Sequence, residues 1–385
     1  MSFLLYIASR IYTQMKIVLY IYLLLLALII SSCENKNSYI LEGNIKGLQS
    51  PKLYIVSGEK LDVDTINTSS GKFSYRGKSQ TVEPLLIYME NKQVWITLWV
   101  QDGEKFFLTG DANYPEMIMA KGGEINKLIS EFKTDNQALI KEKCDLRDKL
   151  SARAEHPAES VPNINNAQLP SHLKNVDRIL KTQAQDFVEA HPSSVAALVM
   201  IQDYILDIEN ASEIQPFLDL VTKEVKATPL YEKLHKLCLK DLQIKTGQPA
   251  LDFKIVDTKN DTISLETFKD KYLILTFAAS HCEFCEPEYA ELSAIQNTFP
   301  AKELAILTIS LDENKEDWKK SAQEKGINWI QVIDSAGWNS NMASLYNVFS
   351  IPCNYLIDKD RTIIGSKLQV DSIQAILNEK IKTKK

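Results

Sequence analysis

The sequence lacks the features that mark several common classes of protein. Lysine and arginine number 44 against 50 aspartates and glutamates, so the net charge of −6 offers no basic surface for nucleic acid. Six cysteines in 385 residues are too few for a disulfide-stabilised scaffold. No long-period internal repeat is visible. These absences argue against a nucleic-acid-binding protein, a cysteine-rich scaffold and a repeat protein.

The composition that remains is globular, with 45% hydrophobic residues and a length that suits two or three domains. Strand and helix patterns predict a signal region at 1–33, a β-sandwich domain at 39–121, a helical spacer at 122–246 and an α/β domain at 247–385. We therefore expect a multidomain protein.

The N-terminal region is typical of an export signal. Lys16 precedes an apolar run over 17–30, after which Ser31 and Ser32 lead to Cys33. The run is short for a membrane span, and a retained transmembrane anchor is the alternative. Its end resembles a bacterial lipobox, which implies that Cys33 carries a lipid. This resemblance places the protein in the cell envelope, on the periplasmic side, anchored at Cys33.

The segment 39–121 predicts a small antiparallel β-sandwich. Its runs KLYIVS, KFSYRG, PLLIYME and VWITLWV are rich in β-branched and aromatic residues. Asp102 and Gly103, between VWITLWVQ and EKFFLTG, predict a hairpin. The segment resembles the β-domain that precedes thioredoxin domains in exported Bacteroidetes proteins.

The middle of the chain has helical periodicity. Glu124–Leu150 is predicted as one helix, 151–171 as a proline-containing loop and Val176–Ala190 as a further helix. Shorter helices are predicted over Ile214–Val225 and Tyr231–Leu242. We interpret this part as a spacer between the β-domain and the C-terminal domain.

The most informative stretch is 272–292, where the apolar run YLILTFA leads into HCEFC and then into a predicted helix. A strand, a turn with Cys-x-x-C and a helix suit a redox dithiol, because the helix N-terminus favours thiolate. We assign Cys282 as the nucleophile and Cys285 as the resolving thiol. Zinc binding would need a second ligand pair, and haem attachment a histidine where Glu286 stands. Two buried cysteines without redox function are the simpler alternative.

A second motif is Ile351-Pro352, which precedes a late predicted strand. Cys-x-x-C after a core strand, followed by Ile-Pro, resembles thioredoxin. The stretch SLDENKEDWKKSAQEKGINWIQVIDSAGW resembles the TlpA/ResA branch of exported thiol–disulfide oxidoreductases. Over 247–385 this resemblance implies a thioredoxin fold and a Cys282–Cys285 disulfide. It also implies a cis bond before Pro352, which packs on the dithiol, and a substrate strand that pairs with the backbone of Ile351.

The same resemblance assigns more site residues. Glu288 takes the place of a buried glutamate that moves protons for the resolving thiol, and burial would raise its pKa accordingly. His281 replaces the usual tryptophan, and its protonated ring would stabilise the Cys282 thiolate. Glu283 opposes that effect, and Phe284 adds an apolar surface for substrate.

Other residues of the chain leave alternatives open. Thr276 stands where thioredoxin has a buried aspartate, which leaves Glu288 as the candidate for proton transfer. Cys353, directly after the proline, is either a third redox thiol or a core residue. Cys144 and Cys238 are either packing residues or partners in a disulfide.

We therefore expect an exported, lipid-anchored thiol–disulfide oxidoreductase with no cofactor. By family likeness it reduces disulfide-containing envelope proteins and is recharged by a membrane thiol reductant, and it binds no nucleic acid. A thioredoxin-fold peroxidase of the AhpC/TSA type is one alternative, although Ala279 stands where that class needs threonine. The other is a non-catalytic envelope binding protein with a structural Cys282–Cys285 disulfide.

Overall fold

The computed structural model of the protein describes residues 38–57, 62–79, 81–89, 94–155, 168–257 and 261–382. The predicted export signal and the predicted lipidation site Cys33 lie outside these residues. The chain forms two compact units, Met1–Met200 and Ile201–Lys385. In the described ranges, no helix is both long and apolar enough to cross a membrane.

The described part of the first unit opens with β1 (Tyr39–Lys46), β2 (Lys52–Ser57), β3 (Asp62–Asn67), β4 (Lys72–Gly77), β5 (Glu83–Met89), β6 (Val94–Val100), β7 (Lys105–Asp111) and β8 (Met119–Lys121). These strands form two four-stranded sheets, ordered β4-β1-β7-β8 and β3-β2-β5-β6. Both sheets contribute to one apolar core, with Leu41 of β1, Leu53 of β2 and Phe106 of β7 among its members. The predicted β-sandwich is confirmed.

The hairpin predicted at Asp102 and Gly103 is wrong. β6 pairs with β5 in one sheet, whereas β7 lies between β1 and β8 in the other. The turn therefore carries the chain from one sheet to the other. Both edges of β7 are already occupied, by the parallel strand β1 and the antiparallel strand β8, so β6 has no edge to join. A two-residue turn signal specifies local backbone geometry and not the strand that is paired.

Four helices complete the described part of the first unit: α1 (Glu124–Asp135), α2 (Gln137–Glu155), α3 (Leu169–Ala190) and α4 (Val195–Met200). The single helix predicted over Glu124–Leu150 is wrong, since the chain leaves helical geometry at Asn136, with φ −106° and ψ 19°. The Asn136 side-chain amide and backbone N–H both donate to the Phe132 carbonyl. The predicted loop is shorter than expected, because Pro170 is accommodated in the first turn of α3.

The second unit begins with a π-helical turn over Ile201–Ile205 and a 3₁₀ segment over Ile208–Ile214, followed by α5 (Gln215–Leu220), α6 (Lys223–Lys226) and α7 (Pro229–Leu242). The helix predicted over Ile214–Val225 is divided, because Val221 is extended, with φ −70° and ψ 148°. The helices of the predicted spacer thus belong to both units. The division of the sequence into signal, sandwich, spacer and α/β domain stays a prediction.

The rest of the second unit contains β9 (Lys254–Val256), β10 (Thr262–Ser264), β11 (Tyr272–Ala278), α8 (Glu286–Thr298), β12 (Leu304–Ser310), α9 (Lys315–Glu324), β13 (Ile330–Ile333), α10 (Asn341–Leu345), β14 (Cys353–Ile357), β15 (Ile363–Ser366) and α11 (Val370–Leu377). β9 and β10 form the predicted hairpin. The other strands form a five-stranded sheet ordered β13-β12-β11-β14-β15. β11, β12 and β13 are parallel, and β14 and β15 are antiparallel additions.

β11 is the central strand of this sheet, and every one of its residues is buried. Leu275 and Phe277 pack into the core on one face, while Ile274 packs on the other against Leu292 and Ile295 of α8. A strand covered on both faces reads as a continuous apolar run, as YLILTFA does. The end of β11 is therefore held rigidly where the Cys-x-x-C turn begins.

Candidate active site

The Cys-x-x-C lies between β11 and α8. The segment Glu283–Cys285 forms a single 3₁₀ turn, and α8 begins at Glu286 with Pro287 in its first turn. Proline is favoured there because the first N–H groups of a helix have no partner within the helix. The turn therefore delivers both cysteines to the N-terminal end of α8, where the helix dipole favours negative charge.

Cys282 and Cys285 are joined in a disulfide with a Cα–Cα distance of 5.3 Å. Cys282 is 9% exposed and Cys285 is 1% exposed, so the first sulfur is the more accessible one. Both pack against Ala278 and Ala279 at the end of β11. This difference in access suits an attacking thiol at 282 and a resolving thiol at 285.

Ile351 and Pro352 lie beside this disulfide and are joined by a cis peptide bond. Ile351 packs against the cluster that holds both cysteines, and its carbonyl oxygen is 3.9 Å from Sγ of Cys282. The motifs at 282–285 and 351–352, far apart in sequence, are therefore neighbours in the structure.

The residues predicted to meet a substrate stand at the surface. Phe284, between the two cysteines, is 83% exposed, and His281 is also exposed. Ser350, which precedes Ile351, donates a hydrogen bond to the Glu209 carboxylate. Glu209 belongs to the 3₁₀ segment before α5, so this helical part of the second unit contacts the proline loop.

Glu288 extends from the first turn of α8 toward the sheet and is half-buried. Its Oε1 lies 3.3 Å from Oγ1 of Thr276 on β11 and 3.3 Å from Nδ2 of Asn354 on β14. Burial raises the pKa of Glu288, and the hydrogen bonds from Asn354 and Thr276 oppose but do not cancel that effect. A carboxyl with a raised pKa keeps its proton to a higher pH than a free glutamate, which suits a proton carrier.

Asp312 is a functional candidate that lies outside the sequence motifs. It follows β12, is 4% exposed, and lies beside the turn that carries Cys282. Its carboxylate accepts hydrogen bonds from the Ser280 N–H at 2.9 Å, from the Ser280 hydroxyl at 2.6 Å and from the Ser310 hydroxyl at 2.5 Å. Nδ1 of His281 lies 3.4 Å from the same carboxylate. Asp312 thus fixes the two residues that precede Cys282.

The pKa of Asp312 is shifted in the direction opposite to that of Glu288. Burial acts to raise the pKa of Asp312, but the hydrogen bonds from Ser280, Ser310 and His281 outweigh burial and hold it below its ordinary range. The sequence does contain a signal for this residue. Parallel strands end at the same edge of a sheet, so a polar residue two positions after β12 falls beside the turn after β11.

The remaining cysteines in the described ranges are Cys144, Cys238 and Cys353, all buried and without a disulfide. Cys353 pairs with Phe277 across the sheet and packs in the core. Burial raises its pKa to about 11, so the thiolate is scarce at neutral pH. These observations favour a packing role for Cys353 over a redox role.

Comparisons with known proteins agree with this geometry. Residues 246–366 match the AhpC/TSA family, and residues 39–129 match a domain of unknown function, DUF4369. The thiol-disulfide oxidoreductase ResA of Bacillus thuringiensis is 26% identical over 125 residues, which are 32% of this chain and 70% of ResA. The thioredoxin-like protein YneN of Bacillus subtilis is 28% identical over 137 residues, 35% of this chain and 76% of its own.

Among solved structures, a thiol-disulfide oxidoreductase from Bacteroides fragilis is 29% identical, with a TM-score of 0.34, and the match covers 35% of this chain and 100% of that one. The sheet order and the family match together define the class of this region: residues 246–366 form a thioredoxin-fold domain that matches the AhpC/TSA family. Within that class, the region is similar to the thiol-disulfide oxidoreductase ResA and to the thioredoxin-like protein YneN.

Proposed function

We propose that the protein is an exported thiol–disulfide oxidoreductase that reduces disulfides in envelope proteins through Cys282 and Cys285. The observation that carries this proposal is the Cys282–Cys285 disulfide at the N-terminus of α8, with the Ile351-Pro352 loop against it. Such a pair, in which the first cysteine is more accessible than the second, suits exchange with an extended partner segment.

The proposed reaction begins with the reduced pair. The Cys282 thiolate attacks one sulfur of the partner disulfide, so a mixed disulfide forms and the second partner sulfur leaves as a thiolate. The Cys285 thiol gives its proton to Glu288 and attacks Sγ of Cys282. The mixed disulfide breaks, the partner has gained two electrons, and the Cys282–Cys285 disulfide is restored. A membrane thiol reductant then supplies two electrons to reopen it.

The location of the protein is part of the same proposal. Export through the signal at 1–33 and lipid attachment at Cys33 would hold the dithiol on the periplasmic side, in the compartment where protein disulfides persist. The support for this step is the pattern of the N-terminal sequence.

The test is a Cys285→Ser variant, which leaves Cys282 able to form mixed disulfides that cannot resolve. We expect this variant to trap envelope proteins, and the wild-type pair to have a reduction potential well below that of glutathione. A potential above that of glutathione would indicate an oxidase or isomerase. A pair that neither exchanges nor traps any partner would overturn the proposal in favour of a structural disulfide.

A peroxidase is the second candidate, because the matched family includes that class by its AhpC/TSA description. Ala279 occupies the position where the pattern of that class has threonine. Peroxide consumption by the reduced protein, lost in a Cys282→Ser variant, would favour this candidate over disulfide exchange.

A further inference from the structure

The carboxyl group of Glu288 is held by residues from two neighbouring strands. Thr276 of β11 and Asn354 of β14 are directly opposite each other in the antiparallel pair. Opposed residues point to the same face of a sheet, and this face is covered by α8. Both side chains are buried, with exposed fractions of 2% for Thr276 and 4% for Asn354. The two polar side chains therefore contact the Glu288 carboxyl group from the sheet side.

The orientation of the Asn354 amide is determined by Leu368. The Leu368 N–H donates to Oδ1 of Asn354 at 3.0 Å, and Nδ2 of Asn354 donates to the Leu368 carbonyl at 2.9 Å. A rotated amide would place donor against donor and acceptor against acceptor. The second N–H of Nδ2 is therefore directed at Oε1 of Glu288, 3.3 Å away.

An amide nitrogen can only donate, so its partner oxygen must accept in either protonation state of Glu288. The carbonyl oxygen of a neutral carboxyl group is a better acceptor than its hydroxyl oxygen. Donors that converge on Oε1 therefore favour the proton on Oε2. The Thr276 hydroxyl lies on the same oxygen and reinforces this preference.

We propose that Asn354 is a positioning residue for proton transfer, which fixes Oε1 of Glu288 as the acceptor and leaves Oε2 to carry and exchange the proton. This inference rests on the proposed function only for its consequence, the proton transfer from Cys285. The hydrogen-bond arrangement itself does not depend on activity.

Other titratable groups interact electrostatically with this carboxyl. Glu291 and Tyr289 lie on α8, and Cys353 lies on β14, with its side chain on the opposite face of the sheet. The negative charge of Asp312 also acts to raise the pKa of Tyr289. Glu291 is the one among them that opposes ionisation of Glu288 directly, so its charge is kept in every variant compared below.

The first measurement needs no substitution. In the oxidised protein, labelled with ¹⁵N and ¹³C, we expect the Asn354 side-chain amide resonances to titrate with the same midpoint as the carboxyl carbon of Glu288. This response should vanish in a Glu288→Gln variant. Asn354 amide chemical shifts that do not change as Glu288 titrates would overturn the proposal.

The second measurement is an infrared difference spectrum, wild type minus Glu288→Gln, recorded below the pKa of Glu288. An Asn354→Leu variant should shift the carboxyl C=O stretch to higher frequency, because the carbonyl oxygen loses a donor, and should raise the pKa of Glu288. An unchanged C=O stretch would place the proton on Oε1 and contradict the proposal. Thr276→Val and Thr276→Ser form a matched pair, of which only the valine variant should move the stretch.

The functional consequence is measured as the rate of resolution by Cys285 as a function of pH. Below the Glu288 midpoint, resolution by Cys285 should be slower in Asn354→Leu by about fivefold, as expected for one hydrogen bond, with an unchanged plateau at higher pH. If the spectroscopic results hold while Cys285→Ser traps nothing, the oxidoreductase proposal fails alone. If exchange proceeds while the Asn354 amide does not titrate, this inference fails alone.

Discussion

Two carboxyl groups lie close in sequence or in space to the Cys-x-x-C turn, and their pKa values are shifted in opposite directions because their hydrogen bonds differ. Glu288 stands in the first turn of α8, three residues after Cys285, and Asp312 lies beside the turn that carries Cys282. Burial acts to raise the pKa of both. The pKa of Glu288 is nevertheless raised, whereas that of Asp312 is lowered.

The difference comes from the number and length of the hydrogen bonds. Asp312 accepts three from Ser280 and Ser310 at 2.5 to 2.9 Å, shared between its two oxygens. Glu288 has two donors at 3.3 Å, both on Oε1. Short bonds from several donors retain the charge of a buried carboxylate, while two long ones do not. Asp312 is thus suited to a fixed structural anion and Glu288 to a proton carrier.

The largest expected effect is on stability and comes from Asp312→Ala. This change leaves the buried donors of Ser280 and Ser310 without their acceptor, which should lower the free energy of unfolding by about 3 kcal/mol. Urea denaturation of the oxidised protein measures the loss. Asp312→Asn, which keeps an acceptor oxygen, should lose less.

The pH dependence of this effect follows from the lowered pKa of Asp312. The stabilisation is fully present above the unfolded-state pKa of about 4, and it is lost as the pH falls through the lower folded-state pKa. The difference in the free energy of unfolding between wild type and Asp312→Asn should therefore disappear in strong acid. A difference that increases in strong acid would show that the Asp312 charge is not stabilising.

Glu288→Gln should have the next largest effect. A proton carrier of this kind contributes about a hundredfold, so resolution of a trapped mixed disulfide by Cys285 should slow by about that factor in stopped-flow measurements. Attack by Cys282 should change far less. Equal slowing of both steps would show that Glu288 does not act specifically as the proton carrier for Cys285.

The same variant tests the sign of linkage at Glu288. Because its folded-state pKa is raised, wild type loses stability as the pH rises from about 4 through that pKa. Glu288→Gln should therefore gain stability relative to wild type when the pH is raised from about 4 to about 8. Denaturant titrations at both pH values give the comparison.

His281→Gln should have a smaller effect, because the ring is exposed and its pairing with Asp312 is screened by solvent. Stability should change by less than about 1 kcal/mol. The rate of Cys282 attack should fall by no more than a few-fold in stopped-flow measurements, because the exposed ring contributes little. A much larger loss would point to a steric role of the ring.

Glu209→Gln should have the smallest effect, since the hydrogen bond from Ser350 is exposed. We expect stability to change by no more than about 0.5 kcal/mol and both carboxyl titrations to be unchanged. NMR titration of the variant checks this. A shifted Glu288 midpoint would show that the helical segment acts on the site through the proline loop.

The strongest local patterns in the chain predicted structure well. The apolar run of β11, the Cys-x-x-C turn and the proline at the start of α8 each depend on residues next to one another. The wrong predictions are of another kind. The turn at Asp102 and Gly103 was assigned to a hairpin although its two strands belong to different sheets, and the break at Asn136 was missed inside a charged helical stretch.

The sequence by itself predicted the fold class and the Cys-x-x-C turn, because strand and helix periodicity and motif spacing are encoded within short windows. Glu288 became a candidate through the resemblance to TlpA/ResA-type proteins. Only the tertiary structure decided the state of each carboxyl. Asp312 meets Ser280 from 32 positions away and Glu288 meets Asn354 from 66 positions away. Burial and hydrogen-bond donors set a pKa through space, and neither depends on separation along the chain.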